Sequence, residues 1–424
     1  MLPSPVLGRH EDHYEEEGSM EAPRFAKLTL VTLLAATVYA GPAAGQAESI
    51  KIGVLTLRSG PMSPIGDDII AGIETATRMQ GPLLGKPVEL IVEESQWNAQ
   101  LAVTKATKLV QQNKVAAILG TSTVEALALV AVADRLRVPI VTSNSGGAAL
   151  TRQNCSKWVF RTNAEDLMSA AALKQVLAEK PKLGSAKWFT LGHDYPYSRL
   201  VAKTVQGVTG GNYVGEAFAP LDTTDWSPFI ARVRSAGATA IMMSITLGTP
   251  LLQFVQQANE FGLTKEAQLV APIGLPDWLV AKLGPLSTNI ISTGSWAAWR
   301  YEEKNPATKQ FNEVFYKQHG RVAGMQSLQS ASATMMVYRA IEKAGSTDPQ
   351  AVVRALETIQ VATPVGPLKF QPGGRQAMVP LFLGPYEELK IPRYGARYAQ
   401  LVEIAFPASK SLPPTGSDAG CKLK

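Results

Sequence analysis

The segment Ile50-Lys-Ile-Gly-Val-Leu55 is followed by a helical pattern over residues 68–80 and then by a second apolar run, Val88–Val92. Short runs rich in β-branched residues are typical of strands. A strand, a helix and a second strand in this order form a βαβ unit with parallel strands. Such strands are buried on both faces, so their sequence is apolar throughout rather than alternating. The opening of the chain therefore predicts an α/β fold on a parallel sheet.

The alternation of strand and helix continues beyond this unit and restarts after residue 165, and 424 residues exceed what one ordinary core accommodates. Antiparallel patterns appear only from Gly366, with a turn at Pro372-Gly373-Gly374 and an alternating run over 398–404. We therefore predict an α/β fold with two doubly wound parallel-sheet lobes. The further predicted strands are 115–119, 139–142, 187–191, 214–218, 240–244 and 267–271. The further predicted helices are 99–112, 125–136, 165–179, 198–208, 227–236, 250–261, 306–319, 327–344 and 349–359.

The amino terminus has the pattern of an export signal. Residues 28–40 are uncharged and apolar, Arg24 and Lys27 precede them, and small residues lead up to Ala47. The run has 13 residues, whereas a membrane span needs about 20, which disfavours the alternative of an uncleaved anchor. We predict a signal peptide over 1–47, cleavage near Ala47 and a periplasmic location. The polar, acidic segment before Met20 suggests that translation starts at Met20.

Composition excludes several classes of function. The chain from Glu48 onward has a net charge of +9, with no basic run that carries interleaved aromatics, which argues against nucleic-acid binding. Two Cys and four His leave no room for a multi-cysteine metal centre, so we predict no metal and no cofactor. Cys155 and Cys421 are an even pair in an exported chain; a disulfide and two free thiols both stay open, because sequence does not give their separation.

Ligands of doubly wound sheets bind at the carboxyl ends of the strands, where loops enter helix amino termini. The loops at these positions are rich in Ser, Thr, Gly and Asn, which bind through hydroxyls and backbone N–H groups. They are residues 58–66, 120–125, 143–149, 192–198, 244–249 and 271–277.

The order of these segments resembles the type I periplasmic solute-binding proteins of ABC importers, in the leucine/isoleucine/valine-binding branch. The matching segments are spread over nearly the whole exported chain, and the order in which they occur is more specific than any single motif. They comprise Ile50–Leu55, Ser59-Gly60-Pro61, Gly66, Gly72, Leu84–Val88, Gly120-Thr-Ser-Thr123, Val138-Pro139-Ile140, Phe160-Arg161-Thr162, Asp194-Tyr195 and Gly366-Pro367-Leu368.

The resemblance implies two lobes joined by three crossings, near residues 165, 295 and 368, that close on a solute. Lobe I would be 48–164 plus 296–367, lobe II 165–295 plus 368–406, and 407–424 a carboxy-terminal tail. It implies no catalysis, a small-molecule ligand, ABC permease and ATPase subunits as partners, and a monomer. The alternative is the ligand-sensing clamp of a receptor or regulator system.

The resemblance also implies a binding site for a carboxylate. The family holds it with a hydroxyl at the start of the third helix, matching Ser122 and Thr123, and with the loop matching Asn144, Ser145 and Gly146. Thr123 could instead be only the helix N-cap. On the second lobe the aromatic wall matches Tyr195, and the closing loops contribute Thr249 and Ile273.

Two positions depart from the amino-acid pattern. Ile273 stands where the family places an acidic residue for the ligand ammonium, and Ile65 stands where it places a tyrosine. A buried unpaired ammonium costs several kcal/mol. The ligand is therefore either an amino acid with another acidic partner (Asp194, Asp277 or Glu125) or an aromatic or aliphatic acid or amide.

His193, Asp194 and Ser198 are the residue types of a hydrolase triad. Adjacent His and Asp side chains normally point apart, and the nucleophile-elbow pattern is missing, so we do not expect catalysis.

Overall fold

The computed structural model describes residues 48–60, 62–293, 302, 304–391, 393–400, 404–406, 421 and 423. The predicted export signal, the crossing near residue 295 and most of the tail lie outside the described residues. None of the helices in the described ranges has the length and apolar content that a membrane span requires.

The first sheet has five strands, all parallel, in the order β2-β1-β3-β4-β5. Ile50 pairs with Val88 and Gly53 with Ile118, so β1 lies between β2 and β3. Four of the five strands have fully or almost fully buried side chains, as the apolar runs predicted. The strands are β1 Ile50–Thr56, β2 Val88–Glu94, β3 Ile118–Leu119, β4 Ile140–Thr142 and β5 Val159–Arg161.

The second sheet is mixed. Its parallel part has the order β7-β6-β8-β9-β10, and β13 extends it as an antiparallel strand that pairs with β10, β14 and β15. The strands are β6 Trp188–His193, β7 Tyr213–Ala219, β8 Ala240–Ser244, β9 Gln268–Ala271, β10 Ile290–Thr293, β13 Leu381–Ile391, β14 Gly395–Gln400 and β15 Ile404–Phe406.

The two parallel arrangements have the same topology. In each, the first strand lies between the second and the third, which is the flavodoxin-like order with a switch point between the first and third strands. We call the body on the first sheet the first lobe and the body on the second sheet the second lobe. The structure therefore confirms the predicted α/β fold with two doubly wound lobes. The two switch points lie at the loops after β1 and β3 and at the loops after β6 and β8.

Helices cover the sheets, and most begin within two residues of the predicted position. There are two exceptions: the helix predicted over 68–80 begins five residues earlier, at Ser63, and the helix predicted over 125–136 is two shorter helices. The short helices Pro181–Gly184, Leu263–Glu266 and Asp277–Leu283 were not predicted. The helices are α1 Ser63–Gln80, α2 Ala99–Gln111, α3 Thr123–Val130, α4 Ala133–Leu136, α5 Asp166–Glu179, α6 Pro181–Gly184, α7 Pro196–Thr209, α8 Ser227–Ser235, α9 Thr249–Glu260, α10 Leu263–Glu266, α11 Asp277–Leu283, α12 Pro306–His319, α13 Met325–Ala344 and α14 Pro349–Leu356.

Helices late in the chain return to the first lobe. The Ser327 hydroxyl on α13 donates to the carbonyl of Asp68 on α1 at 3.0 Å, and the Ser330 hydroxyl donates to that of Ile69 at 2.9 Å. On α12, Gln318 accepts a hydrogen bond from the Thr75 hydroxyl at 2.8 Å. These contacts attach α12 and α13 to the face of α1.

The antiparallel segment near the end of the chain pairs differently from the expected single ribbon. β11, Gln360–Thr363, and β12, Gly366–Lys369, form their own hairpin across residues 364–365. Phe370 bridges to Ala377 across the Pro372–Gly374 turn, and β14 pairs with β13. The two-residue connection explains this, because it brings adjacent strands into register locally.

Gly72 permits the close approach of α1 to α13. A Cβ at this position would lie 2.2 Å from the Ser327 carbonyl oxygen and 2.4 Å from the Ser330 hydroxyl. We expect Gly72→Ala to lower the free energy of unfolding by about 2–3 kcal/mol, because backbone must move. The matched control is Gly207→Ala inside α7, where nothing lies within 4 Å of the new Cβ; it should stabilise by about 0.5–1 kcal/mol. Urea denaturation measures both, and equal effects would contradict the role of Gly72.

Cys155 and Cys421 form a disulfide, with their Cα atoms 5.5 Å apart. Cys155 lies between β4 and β5 of the first sheet, whereas the last described strand before Cys421 is β15 of the second sheet. The bond therefore connects the end of the chain to the first lobe.

Candidate functional site

The first part of the site is the amino terminus of α3, at the switch point of the first sheet. Ser122 is the N-cap, with extended backbone, so Thr123 is not the cap but the first helical residue. The buried Glu125 accepts hydrogen bonds from the Ser95 hydroxyl and from the Ser122 N–H, the latter at 2.6 Å. Burial raises the pKa of Glu125, and the bonds from Ser95 and Ser122 partly offset the rise. This carboxylate is therefore engaged in fixing the start of the helix.

Thr123 connects this helix to the loop after β4. Its hydroxyl oxygen accepts a hydrogen bond from the Gly146 N–H at 2.9 Å, and Ser122 and Asn144 form an isolated parallel bridge. Because the Thr123 oxygen accepts from Gly146, its hydroxyl hydrogen is free to donate to a ligand oxygen. The structure thus brings together the sequence-predicted residues of the first lobe.

Ser145 is held on both sides by Asn163. The Asn163 side-chain oxygen accepts from the Ser145 N–H at 3.2 Å, and its amide nitrogen donates to the Ser145 carbonyl at 3.0 Å. The hydroxyls of Thr121, Ser143 and Ser145 are buried at this edge and have no hydrogen-bond partner among the described residues. A buried hydroxyl without a partner is costly, which favours a polar molecule at this edge.

Arg161, fully buried at the end of β5, holds the rest of the loop. Its guanidinium donates to the Gly147 carbonyl at 2.6 Å, to the Thr151 hydroxyl at 2.7 Å and to the Glu165 carboxylate at 2.9 Å. Its Nε donates to Gln376. Nearly all its donors are used inside the protein, so Arg161 positions the loop and does not itself reach a ligand.

Asp166 lies at the start of α5, beside the same loop. Its carboxylate accepts from the Ala148 N–H at 3.3 Å, and its N–H donates to the Gly146 carbonyl at 3.0 Å. The other carboxylate oxygen lies 3.2 Å from where a Gly146 Cβ would be, so a side chain there would crowd it. Burial raises the pKa of Asp166 to about 7, although nearby Arg161 acts in the opposite direction. Near neutral pH this group therefore exists both as a hydrogen-bond donor and as a carboxylate.

The second lobe contributes aromatic side chains from the start of α7. Tyr195 is the N-cap residue and half-buried, with its ring 6.0 Å from that of Tyr197. The ring of Tyr197 lies 3.4 Å from the position of a Gly146 Cβ, so Tyr197 meets the loop of the first lobe. Burial raises the pKa of both tyrosines, that of Tyr195 to about 12, and the Asp166 charge adds to the rise at Tyr197. The two lobes therefore touch at Gly146 and Tyr197.

The closing loops are anchored at the switch point of the second sheet. The His193 Nδ1 accepts from the Thr246 N–H at 3.1 Å, so its hydrogen is on Nε2, and burial lowers its pKa to about 4. Thr249 is exposed at the start of α9, and Ile273 packs partly against the main core. Pro272, Asp166 and Tyr197 line a small cavity of about 20 Å³, which is room for about one water molecule. Thr249 and Ile273 thus lie on the exposed surface and against the core, respectively, whereas Thr123 and Gly146 are hydrogen-bonded to each other.

The triad-like residues have separate partners. Asp194 forms an ion pair with Arg199 at 2.9 Å on the surface, Ser198 donates to the Ser244 carbonyl at 2.7 Å, and His193 is bonded to Thr246. These contacts do not form a nucleophile–base–acid relay. The described ranges also contain no group of three His, Cys, Asp or Glu placed to hold a metal ion.

The other carboxylates considered for a ligand ammonium are also engaged. Asp277 forms an ion pair with Arg397 at 3.3 Å, and Asp194 forms one with Arg199. Glu125 accepts hydrogen bonds from Ser95 and Ser122. Asp166 and Tyr197 were not among the predicted site residues. Tyr197 is two positions from Tyr195, and sequence gives no signal for which of two neighbouring tyrosines faces a cleft. The sequence marked Arg161 only as part of the family-matching segment Phe160-Arg161-Thr162 and predicted no role for it.

A family model described as "Periplasmic binding protein" matches residues 49–388. Curated relatives include the Leu/Ile/Val-binding protein homolog 6 of Brucella melitensis biotype 1, which is 25% identical over 365 residues, 83% of this chain and 92% of the relative.

Solved structures of solute-binding proteins are similar to this chain in their fold. An ABC transporter substrate-binding protein from Sphaerobacter thermophilus is similar with a TM-score of 0.76 and 25% identity, over 85% of this chain and 98% of the other. A solute-binding protein of an R. palustris ABC transporter, in complex with 4-hydroxybenzoate, has a TM-score of 0.75 and 22% identity, over 85% of this chain and 97% of the other.

Proposed function

We propose, because the chain belongs to the periplasmic binding protein family, that it is the extracytoplasmic solute-binding component of an ABC importer. It captures a small carboxylate- or amide-bearing solute by closure of its two lobes and delivers it to a permease. The observation that carries the proposal is the constellation of Thr123, the Gly146 loop and the α3 amino terminus, faced by Tyr197 of the other lobe. The family and the fold are those of solute-binding proteins and not of enzymes.

The first-lobe site suits an anion without a cationic side chain. A helix amino terminus presents unpaired N–H groups and a favourable dipole, and the Thr123 hydroxyl adds a donor. The aromatic face and hydroxyl of Tyr197 then cover the solute from the second lobe. Because only the closed arrangement contacts the solute from both sides, binding shifts the lobes toward closure.

Two solute classes remain in the proposal. The curated relative is named for leucine, isoleucine and valine, and the solved relative holds 4-hydroxybenzoate. Ile273 supplies no charge for an ammonium, which favours an aromatic or aliphatic acid. Asp166, beside Gly146, supplies an acidic group that could accept from an ammonium, which favours an amino acid.

Thermal-shift screening followed by calorimetry tests the function. L-leucine, benzoate and 4-hydroxybenzoate are the first probes, within a panel of amino acids, aromatic acids and amides. A binding solute raises the melting temperature, and a concentration 100 times Kd stabilises by about 2.7 kcal/mol. If no member of the panel stabilised the protein, and scattering profiles with and without solute were identical, the proposal would be wrong.

We expect Thr123→Val to weaken binding of the identified solute about tenfold or more, because it removes a hydroxyl donor and leaves the Gly146 N–H unpaired. Thr123→Ser should restore most of the affinity. Thr104→Val, on the exposed face of α2, is the matched control and should bind as the wild type does. Calorimetry measures all three variants, and unchanged affinity in Thr123→Val would exclude this loop as the site.

The remaining parts of the proposal concern processing and partners. We propose that the signal is cleaved near Ala47 and that the exported protein is a monomer whose partners are an ABC permease and its ATPase. Lobe I is proposed to comprise 48–164 plus 296–367, and lobe II 165–295 plus 368–406. Mass spectrometry of the exported protein should find a chain that starts at Glu48. An intact Met1 would contradict the export proposal.

A further inference from the structure

We propose that the tip of the β13–β14 hairpin clasps α12 and thereby biases the lobes toward closure before any solute binds. The clasp consists of Arg393 and Tyr394 at the hairpin tip and of Glu313 and Tyr316 on α12. It also includes Glu302, which precedes α12 and accepts a hydrogen bond from the Asn312 side chain of that helix at 2.7 Å. The inference deepens the proposed function and rests on it, because it concerns the closing movement of the same two lobes.

An ion pair forms one part of the clasp. The Arg393 guanidinium lies 2.8 Å from the Glu313 carboxylate on α12, and 3.8 Å from that of Glu302. Arg393 is about one-third exposed and thus only partly screened by water. The nearer pair connects residues 80 positions apart in the chain, one on each lobe.

The second part of the clasp is Tyr394, which is buried although it lies in a hairpin turn. Its ring is 5.1 Å from that of Tyr316, and its hydroxyl donates to the Glu302 carboxylate at 2.7 Å. Together with Val322 of the first lobe and Ile391 of the hairpin, it forms a small hydrophobic cluster separate from the main core. Tyr394 is therefore buried between its own hairpin and the side chains of Tyr316 and Val322 on the first lobe.

The direction of the bias follows from the same structure. The clasp contacts coexist with the contact between Gly146 and Tyr197, so they belong to an arrangement in which the cleft is closed at the site. Contacts made in the closed arrangement raise its population, and the apparent affinity rises with the fraction of competent molecules. The clasp therefore lowers the apparent Kd for the solute.

The test compares Arg393→Ala, Tyr394→Ala and Tyr394→Phe with the wild type. Small-angle scattering of the solute-free protein should show a larger radius of gyration in both alanine variants. Calorimetry uses whichever of L-leucine, benzoate and 4-hydroxybenzoate binds the wild type. Both alanine variants should bind it two- to tenfold more weakly than the wild type does, and Tyr394→Ala should lose the most affinity. Tyr394→Phe, which keeps the ring, should fall between it and the wild type, and Arg393→Lys should recover most of the loss.

Arg234→Ala is the matched control. Its guanidinium lies 2.8 Å from Glu266 with comparable exposure, but both residues belong to the second lobe. It should change neither the radius of gyration nor the affinity. Alanine variants with wild-type scattering and affinity would overturn the clasp. If the wild type bound none of the solutes, scattering would still decide on the clasp, while the proposed function would fail separately.

Discussion

Arg161→Met is expected to lower the free energy of unfolding by about 3–5 kcal/mol and to weaken solute binding. Arg161 and Glu165 are both completely buried, with their charged atoms 2.9 Å apart. Removing one partner of a buried pair leaves the other charge without compensation, which is more costly than losing an exposed pair. Arg152 also approaches Glu165, at 3.1 Å, and keeps the loss toward the lower end of that range.

A double variant separates the role of Arg161 in stability from its role in the site. Replacing both charges, as in Arg161→Met with Glu165→Leu, should recover much of the stability, because an apolar pair of similar size is tolerated. It should not recover binding, since the Gly147 carbonyl and the Thr151 hydroxyl have still lost their donor. Urea denaturation and calorimetry measure the two effects. Arg339→Ala, an exposed pair within α13, is the control and should change stability by less than about 0.5 kcal/mol. A loss below about 1 kcal/mol in Arg161→Met would contradict the argument.

The sheets could be predicted because parallel strands have a local signature. Ile50–Leu55 is mostly apolar because β1 is buried on nearly all of its positions, and the edge strand β2 keeps an apolar run over 90–92 although it is only partly buried. This composition can be recognised without knowledge of any distant contact. The loops 120–125 and 143–149 could be proposed from topology, whereas the choice of Thr123 and Gly146 within them rested on the family resemblance. Thr123 and Gly146 come after neighbouring strands, so topology alone brings them to one edge of the sheet.

What could not be predicted depends on pairings across long stretches of chain. Whether Tyr195 or Tyr197 meets Gly146 depends on the rotation of α7 in one lobe relative to a loop of the other. The burial of Tyr394 depends on Tyr316, 78 positions earlier, which no local pattern specifies. The burial of Arg161 could not be predicted from its motif, because burial of an arginine requires partners that only the fold assembles.

Removing the disulfide between Cys155 and Cys421 should cost about 3–5 kcal/mol of unfolding free energy. The bond closes a loop with a sequence separation of 266, and the chain entropy that it removes from the unfolded state grows with loop length. The proper variant is Cys155→Ser with Cys421→Ser, because a single replacement would leave a reactive thiol. Reduced wild-type protein should unfold at the same urea concentration as the double variant.

The cause of the loss can be located by comparing two measurements. Cys155 follows the loop that carries Gly146 and Thr151 and precedes β5, so the bond could stabilise the binding loop itself. If the bond acts chiefly on the unfolded chain, the double variant should lose stability and still bind solute with wild-type affinity. An equal loss in affinity would place its effect in the native loop instead. Unchanged stability, with mass spectrometry showing the bond intact in the wild type, would contradict the entropic argument, because so long a closed loop must restrict the unfolded chain.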